Sequence, residues 1–135
     1  MGCVLRAAGK DFDVDAFLAK SKLSPCAVFR KGQPKGSDPK SKKLRYSAIN
    51  INVSNASFKN FKKQVKDAIK FLEENNTEIK RLARTKGLDG TPELDFGVEH
   101  QNVFVQSDCF PAELVSLAGK LGLGLMLSQY PVSDE

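Results

Sequence analysis

The 135-residue sequence has one histidine, three cysteines and no apolar run approaching the ~20 residues that a membrane-spanning helix needs. Cys3, Cys26 and Cys109 are odd in number and far apart, so they fit neither a disulfide framework nor a pair of metal-binding knuckles. No Walker-type phosphate loop, zinc spacing or Gly-x-Ser-x-Gly elbow occurs, and the glycines of GKLGLGLML lack dinucleotide-fingerprint spacing. The opening MGCVLRAAGK runs into charged sequence without the apolar core of a secretion signal, and Arg6 stands where N-myristoylation wants Ser or Thr. The expectation is a reduced, cytoplasmic protein with no membrane partner, no metal and no cofactor.

Two constellations invite a chemical reading, and each lacks a necessary part. DFDVD places Asp11, Asp13 and Asp15 at alternate positions, as at the start of a calcium loop. Such a loop needs Gly at its sixth position and Glu at its twelfth, where this chain has Ala16 and Lys22. Helix capping accounts better for these acids. His100 lies nine residues before Cys109, and a Cys-His pair can make a thiolate nucleophile. Cys109 also precedes a helix start, which lowers a thiol pKa, but no nucleophile motif surrounds it. A turn histidine and a buried thiol are expected, and an enzyme is not.

The hydrophobic pattern predicts one α+β domain over residues 1–135. Residues 3–8 alternate as a first strand, and DFDVDAFLAKSKL turns Val14, Phe17 and Leu18 inward on a helix. CAVFRKG reads as a second strand and YSAININVS as the strongest, with Ile49, Ile51 and Val53 on one face and Ala48, Asn50 and Asn52 on the other. A long helix follows a cap at Asn55 or Ser57. Its stripe runs through Phe58, Phe61, Val65, Ala68, Ile69 and Leu72, and a kink or split is expected at Asn75-Asn76. ELDFGVEH is a fourth strand, NVFVQS a fifth, PAELVSLAGKLG a helix opened by Pro111, and LGLMLSQY the last strand. The expected architecture is three β-α-β units with helices packed on a mainly antiparallel or mixed sheet, in ferredoxin-like pieces.

Charge is distributed unevenly along the chain. Residues 30–45 hold seven Lys or Arg against one acid, residues 58–86 sum to +5, and residues 87–135 sum to −7. The segment RKGQPKGSDPKSKKLRY contains too much Gly, Pro and Ser for a regular element, so residues 31–45 are read as a basic, flexible loop between the second and third strands. It has no aromatic residue of its own for stacking on bases; Phe29 and Tyr46 only flank it.

The chain resembles a family of small bacterial proteins defined as a domain of unknown function. The likeness rests on the Leu94–Gly97 strand, the Pro111 helix start, the Leu-Ala-Gly-x-Leu-Gly ending at Leu117–Gly122, and Tyr130-Pro131, with AGKDFDVDAFLAKSKLSPCAVFRKGQ similar at the N-terminal end. These motifs are structural and imply no catalytic residue. The resemblance implies an accessory protein, with toxin-neutralising immunity factors among similar small α+β proteins.

The first expectation is therefore a non-enzymatic module that binds another protein, with Arg30, Lys31, Lys35, Lys42, Lys43 and Arg45 as its contact surface. A homodimer through open sheet edges is also expected. The alternative is a nucleic-acid-binding accessory protein that adds Lys59, Lys62, Lys63 and Lys66 from the long helix.

Overall fold

The computed structural model describes residues 2–132. Its elements run β1 (Cys3–Gly9), α1 (Val14–Lys20), β2 (Ala27–Phe29), β3 (Ser47–Ser54), α2 (Phe61–Glu74), α3 (Asn76–Ala83), β4 (Glu93–Glu99), α4 (Ala112–Leu121) and β5 (Gly124–Tyr130). The strands form one sheet in the order β2-β3-β1-β4-β5. Every neighbouring pair is antiparallel except β4 with β5. The first four strands thus have the β-α-β-β-α-β order and the 4-1-3-2 neighbours of a ferredoxin-like sheet, with the second helix divided in two. The β4-α4-β5 crossover then adds a parallel strand at one edge.

Alternation within the strands decides which face is covered. Cys3, Leu5 and Ala7 of β1, Ile49 and Ile51 of β3, and Leu94, Phe96 and Val98 of β4 are buried in one core. The same core takes Val14 and Phe17 of α1, Val65, Ala68 and Leu72 of α2, Ile79 and Leu82 of α3, and Leu114, Ala118 and Leu121 of α4. All four helices therefore lie on one face. The opposite face presents Val4, Arg6 and Ala8 of β1 beside Asn52, Asn50 and Ala48 of β3, in direct cross-strand register.

The ends of the helices follow from single side chains. The Asp13 carboxylate caps α1 by accepting from the Ala16 N–H at 3.0 Å. The Asn60 side chain caps α2 through the Lys63 N–H at 3.2 Å, five residues past Asn55. That later start frees Phe58 from the inward stripe. Asn75 divides α2 from α3, its side-chain amide donating to the Phe71 carbonyl at 2.9 Å in competition with the backbone. Gly122 ends α4 with φ 79°, the left-handed cap that glycine adopts without penalty.

One expected strand does not form. Residues 102–107 are irregular, and Val103, Phe104 and Val105 are exposed rather than paired. The third unit therefore reuses β4 as its first strand. An apolar-rich run marks a strand only where an edge is free to receive it, and here β5 occupies that position.

Candidate functional site

The basic segment is a braced hairpin lying against the uncovered sheet face. The Lys31 N–H donates to Ser47 Oγ at 3.0 Å, closing its base. Above that, Gly32 N–H bonds Leu44 O at 2.9 Å, Leu44 N–H bonds Gln33 O at 2.8 Å, and Lys35 N–H bonds Lys42 O at 2.9 Å. Pro34 and Lys43 form an isolated antiparallel bridge. At the tip, Asp38 accepts from the backbone of Lys40 and Ser41, the usual way a short acid closes a turn. Leu44 is the one buried side chain between Lys31 and Tyr46, and it fixes the hairpin to the sheet.

Beneath the hairpin is a cavity of about 500 Å³, lined by Arg6, Ala7, Ala8, Phe29, Lys35, Leu44, Tyr46, Ala48 and Asn50. Strand register explains this set. Arg6 faces Asn50 and Ala8 faces Ala48 across β1 and β3, and Phe29 faces Ala48 across β2 and β3. The small side chains of Ala8 and Ala48 leave the depression, and the exposed rings of Phe29 and Tyr46 border it. Most of the lining is apolar, and its polar side-chain groups are those of Arg6, Lys35 and Asn50 and the Tyr46 hydroxyl.

The six cations expected to form the contact surface divide into two groups. Arg30 turns away to α1 and makes a two-point contact with Asp15, at 2.8 and 3.2 Å. That hydrogen bond and the guanidinium charge hold the Asp15 carboxyl below its ordinary pKa. Arg30 thus ties the hairpin base to the helix layer. Lys31, Lys35, Lys42, Lys43 and Arg45 are exposed, and Lys35 reaches the cavity wall. With Lys40, they make no ion pair among the described residues.

The helix lysines of the alternative reading are not brought to this place. α2 packs on the covered face, so Lys62, Lys63 and Lys66 lie across the sheet from the hairpin. Lys63 pairs with Asp67 at 3.4 Å, and Lys59 lies 3.8 Å from Glu99.

The open face continues past the cavity. Arg6 pairs with Asp95 at 3.0 Å, and Ser128 Oγ donates to the same carboxylate at 2.5 Å, which satisfies an acid whose side chain is only 5% exposed. Beyond it, Phe58 stacks on Tyr130, with ring centroids 4.6 Å apart and planes at 10°. Gly97 makes that stack possible, since a β-carbon there would lie 2.5 Å from the Phe58 ring. Gln64, fully buried below, donates to the carbonyls of Gly97 at 2.7 Å and Ser57 at 3.0 Å.

The two earlier chemical candidates separate. Cys109 is exposed rather than buried, its thiol faces the Phe110 carbonyl at 3.7 Å, and no hydrogen bond joins it to His100 among the described residues. Cys3 is buried, and desolvation, with the nearby Asp95 and Asp67 carboxylates, pushes its thiol far above the ordinary range. Among the described residues no cluster of metal-ligating side chains forms, and no helix is long and apolar enough to cross a membrane.

The family model for the domain of unknown function DUF4279 matches residues 1–132. The chain belongs to the DUF4279 family. No curated protein and no solved structure matches it. In this DUF4279 chain the open sheet face carries the cavity, the basic hairpin and the Phe58–Tyr130 stack. Phe29 and Tyr46 flank the basic segment in sequence and meet at one cavity in space; the signal was their position at the facing ends of two strands.

Proposed function

We propose that this chain is a non-catalytic binding module that holds an acidic segment of a partner protein. An apolar side chain of the partner sits on the Ala8-Ala48-Leu44 floor between Phe29 and Tyr46, and flanking carboxylates meet the hairpin cations. The observation that carries this reading is the juxtaposition of an apolar cavity with six cations that have no ion-pair partner among the described residues. Protein interfaces combine such parts, an apolar anchor in a pocket for affinity and complementary charge for steering and register. A neutralising role of the immunity kind needs no more than such a surface.

A nucleic-acid reading fits less well. A single strand tracking across the sheet would pass over Glu93, Asp95 and Glu99, which alternate on the open face of β4. The aromatic rings fall into two separate pairs, Phe29 with Tyr46 at the cavity and Phe58 stacked on Tyr130 beyond Asp95, and the carboxylates of β4 lie between them.

The test is capture from a lysate of the source cells, with and without nuclease and across a salt series, using the wild-type chain and a Tyr46→Ser/Lys35→Glu variant. The reading predicts a protein that survives nuclease and moderate salt on the wild type and is absent from the variant. Recovery of nucleic acid that vanishes with nuclease or salt would overturn it.

A further inference from the structure

The loop from β4 to α4 carries the most exposed apolar cluster among the described residues. Val103 is 54%, Phe104 104% and Val105 70% exposed. Contiguous apolar side chains held in water mark a contact site. The base of this loop is tied. The Gln106 side-chain carbonyl accepts from the Gln101 N–H at 2.7 Å, and its amide donates to the Glu99 carbonyl at 3.2 Å and the Asp108 carboxylate at 3.1 Å. The tip is therefore presented outward from a shaped base. The loop's own sequence is acidic, with Glu99, Asp108 and Glu113 and no Lys or Arg between Lys86 and Lys120, although Lys59 lies 3.8 Å from Glu99 at its base.

We propose that this tip docks into the cationic cavity of a second copy of the chain, head to tail. The proposal rests on the protein-binding reading of the cavity and names a partner for it. Phe104 supplies the apolar anchor, and the acidic surround of the tip meets the free hairpin cations. Register sets the tip apart from the cavity of its own chain. Cys3 pairs with Phe96 and Arg6 with Glu93, so the loop leaves β4 beside the start of β1, whereas the cavity lies at Ala8 near its end. Ala8 lies five residues along β1 from Cys3, roughly 17 Å, and Phe104 is 104% exposed, so the tip does not fill its own cavity. Because the two surfaces differ, a single head-to-tail contact leaves the pair with one free tip and one free cavity.

That property gives a specific test by analytical ultracentrifugation of the wild type, Phe104→Ser, and the triple variant Lys35→Glu/Lys42→Glu/Lys43→Glu. All four positions are exposed, so the folded monomer is spared. The wild type should show a weight-average mass that rises with concentration at low salt and falls as salt is added. In Phe104→Ser the concentration for half-association should rise about thirty-fold, the loss expected of a buried aromatic anchor. The triple variant should remain monomeric. An equimolar mixture of the two variants should recover a 1:1 dimer and nothing larger, because one intact tip and one intact cavity remain. A wild type that stays monomeric, a Phe104→Ser chain that associates like the wild type, or a mixture that stays monomeric each overturns the proposal. If a foreign protein instead requires Phe104 while the wild type stays monomeric, the tip serves that partner and the second-copy assignment is wrong. If Phe104→Ser still takes up acidic Phe-containing peptides in its cavity, the protein-binding reading survives the loss of this one; if no such peptide binds, both fall.

Discussion

Leu44→Ala should release the basic hairpin while leaving the domain folded. Leu44 is 8% exposed and lies outside the main core, on the opposite face of the sheet. Truncation removes three carbons. At ~0.8 kcal/mol per buried methylene this is about 2.4 kcal/mol, and a Leu→Ala change in a core costs about 2–5 kcal/mol. The hairpin can move into the vacated space, so the lower end of that range applies. The loss is local, because the hairpin can detach without opening the helix layer. About 2 kcal/mol corresponds to a ~30-fold rise in the opening equilibrium. Amide hydrogen exchange reads this directly. The bonded N–H groups of Gly32, Lys35 and Leu44 should exchange about thirty times faster in the variant. Exchange at Leu5 and Ile49, in the core strands, should be unchanged. Uniform acceleration across both sets would show that the hairpin is part of the cooperative core and would refute its separation from it. Unchanged hairpin exchange would refute the anchoring role of Leu44.

Other perturbations test the frame that supports the site. Gly9→Ala should destabilise the domain by about 3 kcal/mol or more in urea unfolding, because the added β-carbon would lie 1.9 Å from the Gly87 carbonyl oxygen and both groups are backbone. A loss under about 1 kcal/mol would show that the β1 end and the α3–β4 turn can separate freely. Cys26 and Cys109 should react with a thiol reagent in the folded state, and Cys3 only after unfolding, which mass spectrometry of labelled peptides checks. Acid should weaken the fold through Asp15, Asp67 and Glu78, each held below its ordinary pKa. The leading causes are the hydrogen bond from Arg30 for Asp15 and from Ser54 for Asp67; for Glu78, desolvation opposes the shift and is outweighed by bonds from the Lys22 N–H, Ser21 and Arg81. A lowered folded pKa means that the unfolded chain binds more protons, so this stability is present above about pH 4 and is lost as pH falls through the lower folded values. A urea midpoint that stays constant from neutral pH to about pH 3 would contradict it.

The sequence pattern revealed the framework wherever one face of an element is apolar and the other polar. Ile49, Ile51 and Val53 marked β3, and the αL position at Gly122 was legible as a helix end because glycine alone suits it. The split at Asn75 was legible for a similar reason, its short amide competing for the Phe71 carbonyl. NVFVQS misled because its composition suits a strand, whereas pairing depends on which edge of the sheet is vacant. Phe58 misled because helix spacing continued it into α2, while the actual cap at Asn60 left it free to stack on Tyr130.

The site itself was half legible. Its charge lay in one contiguous segment, so Lys31, Lys35, Lys42, Lys43 and Arg45 could be named from sequence. Its cavity could not, because Arg6, Ala8, Phe29 and Ala48 come from three strands whose neighbours are fixed only by the sheet order. Arg30 shows the limit from the other side. It belongs to the same charge run, yet Asp15 holds it in a structural contact.

The central claim is that the cavity and hairpin together bind acidic protein segments, and an NMR titration tests it most directly. Two probes of equal charge would be added to the labelled chain, an acidic peptide with one central Phe and a single-stranded oligonucleotide. The account predicts that the peptide shifts the amides of Ala8, Phe29, Lys35, Leu44, Tyr46 and Ala48, that much of its affinity persists at moderate salt, and that the oligonucleotide binds weakly and is displaced. Tight oligonucleotide binding with a steep salt dependence, together with an inert peptide, would contradict the account.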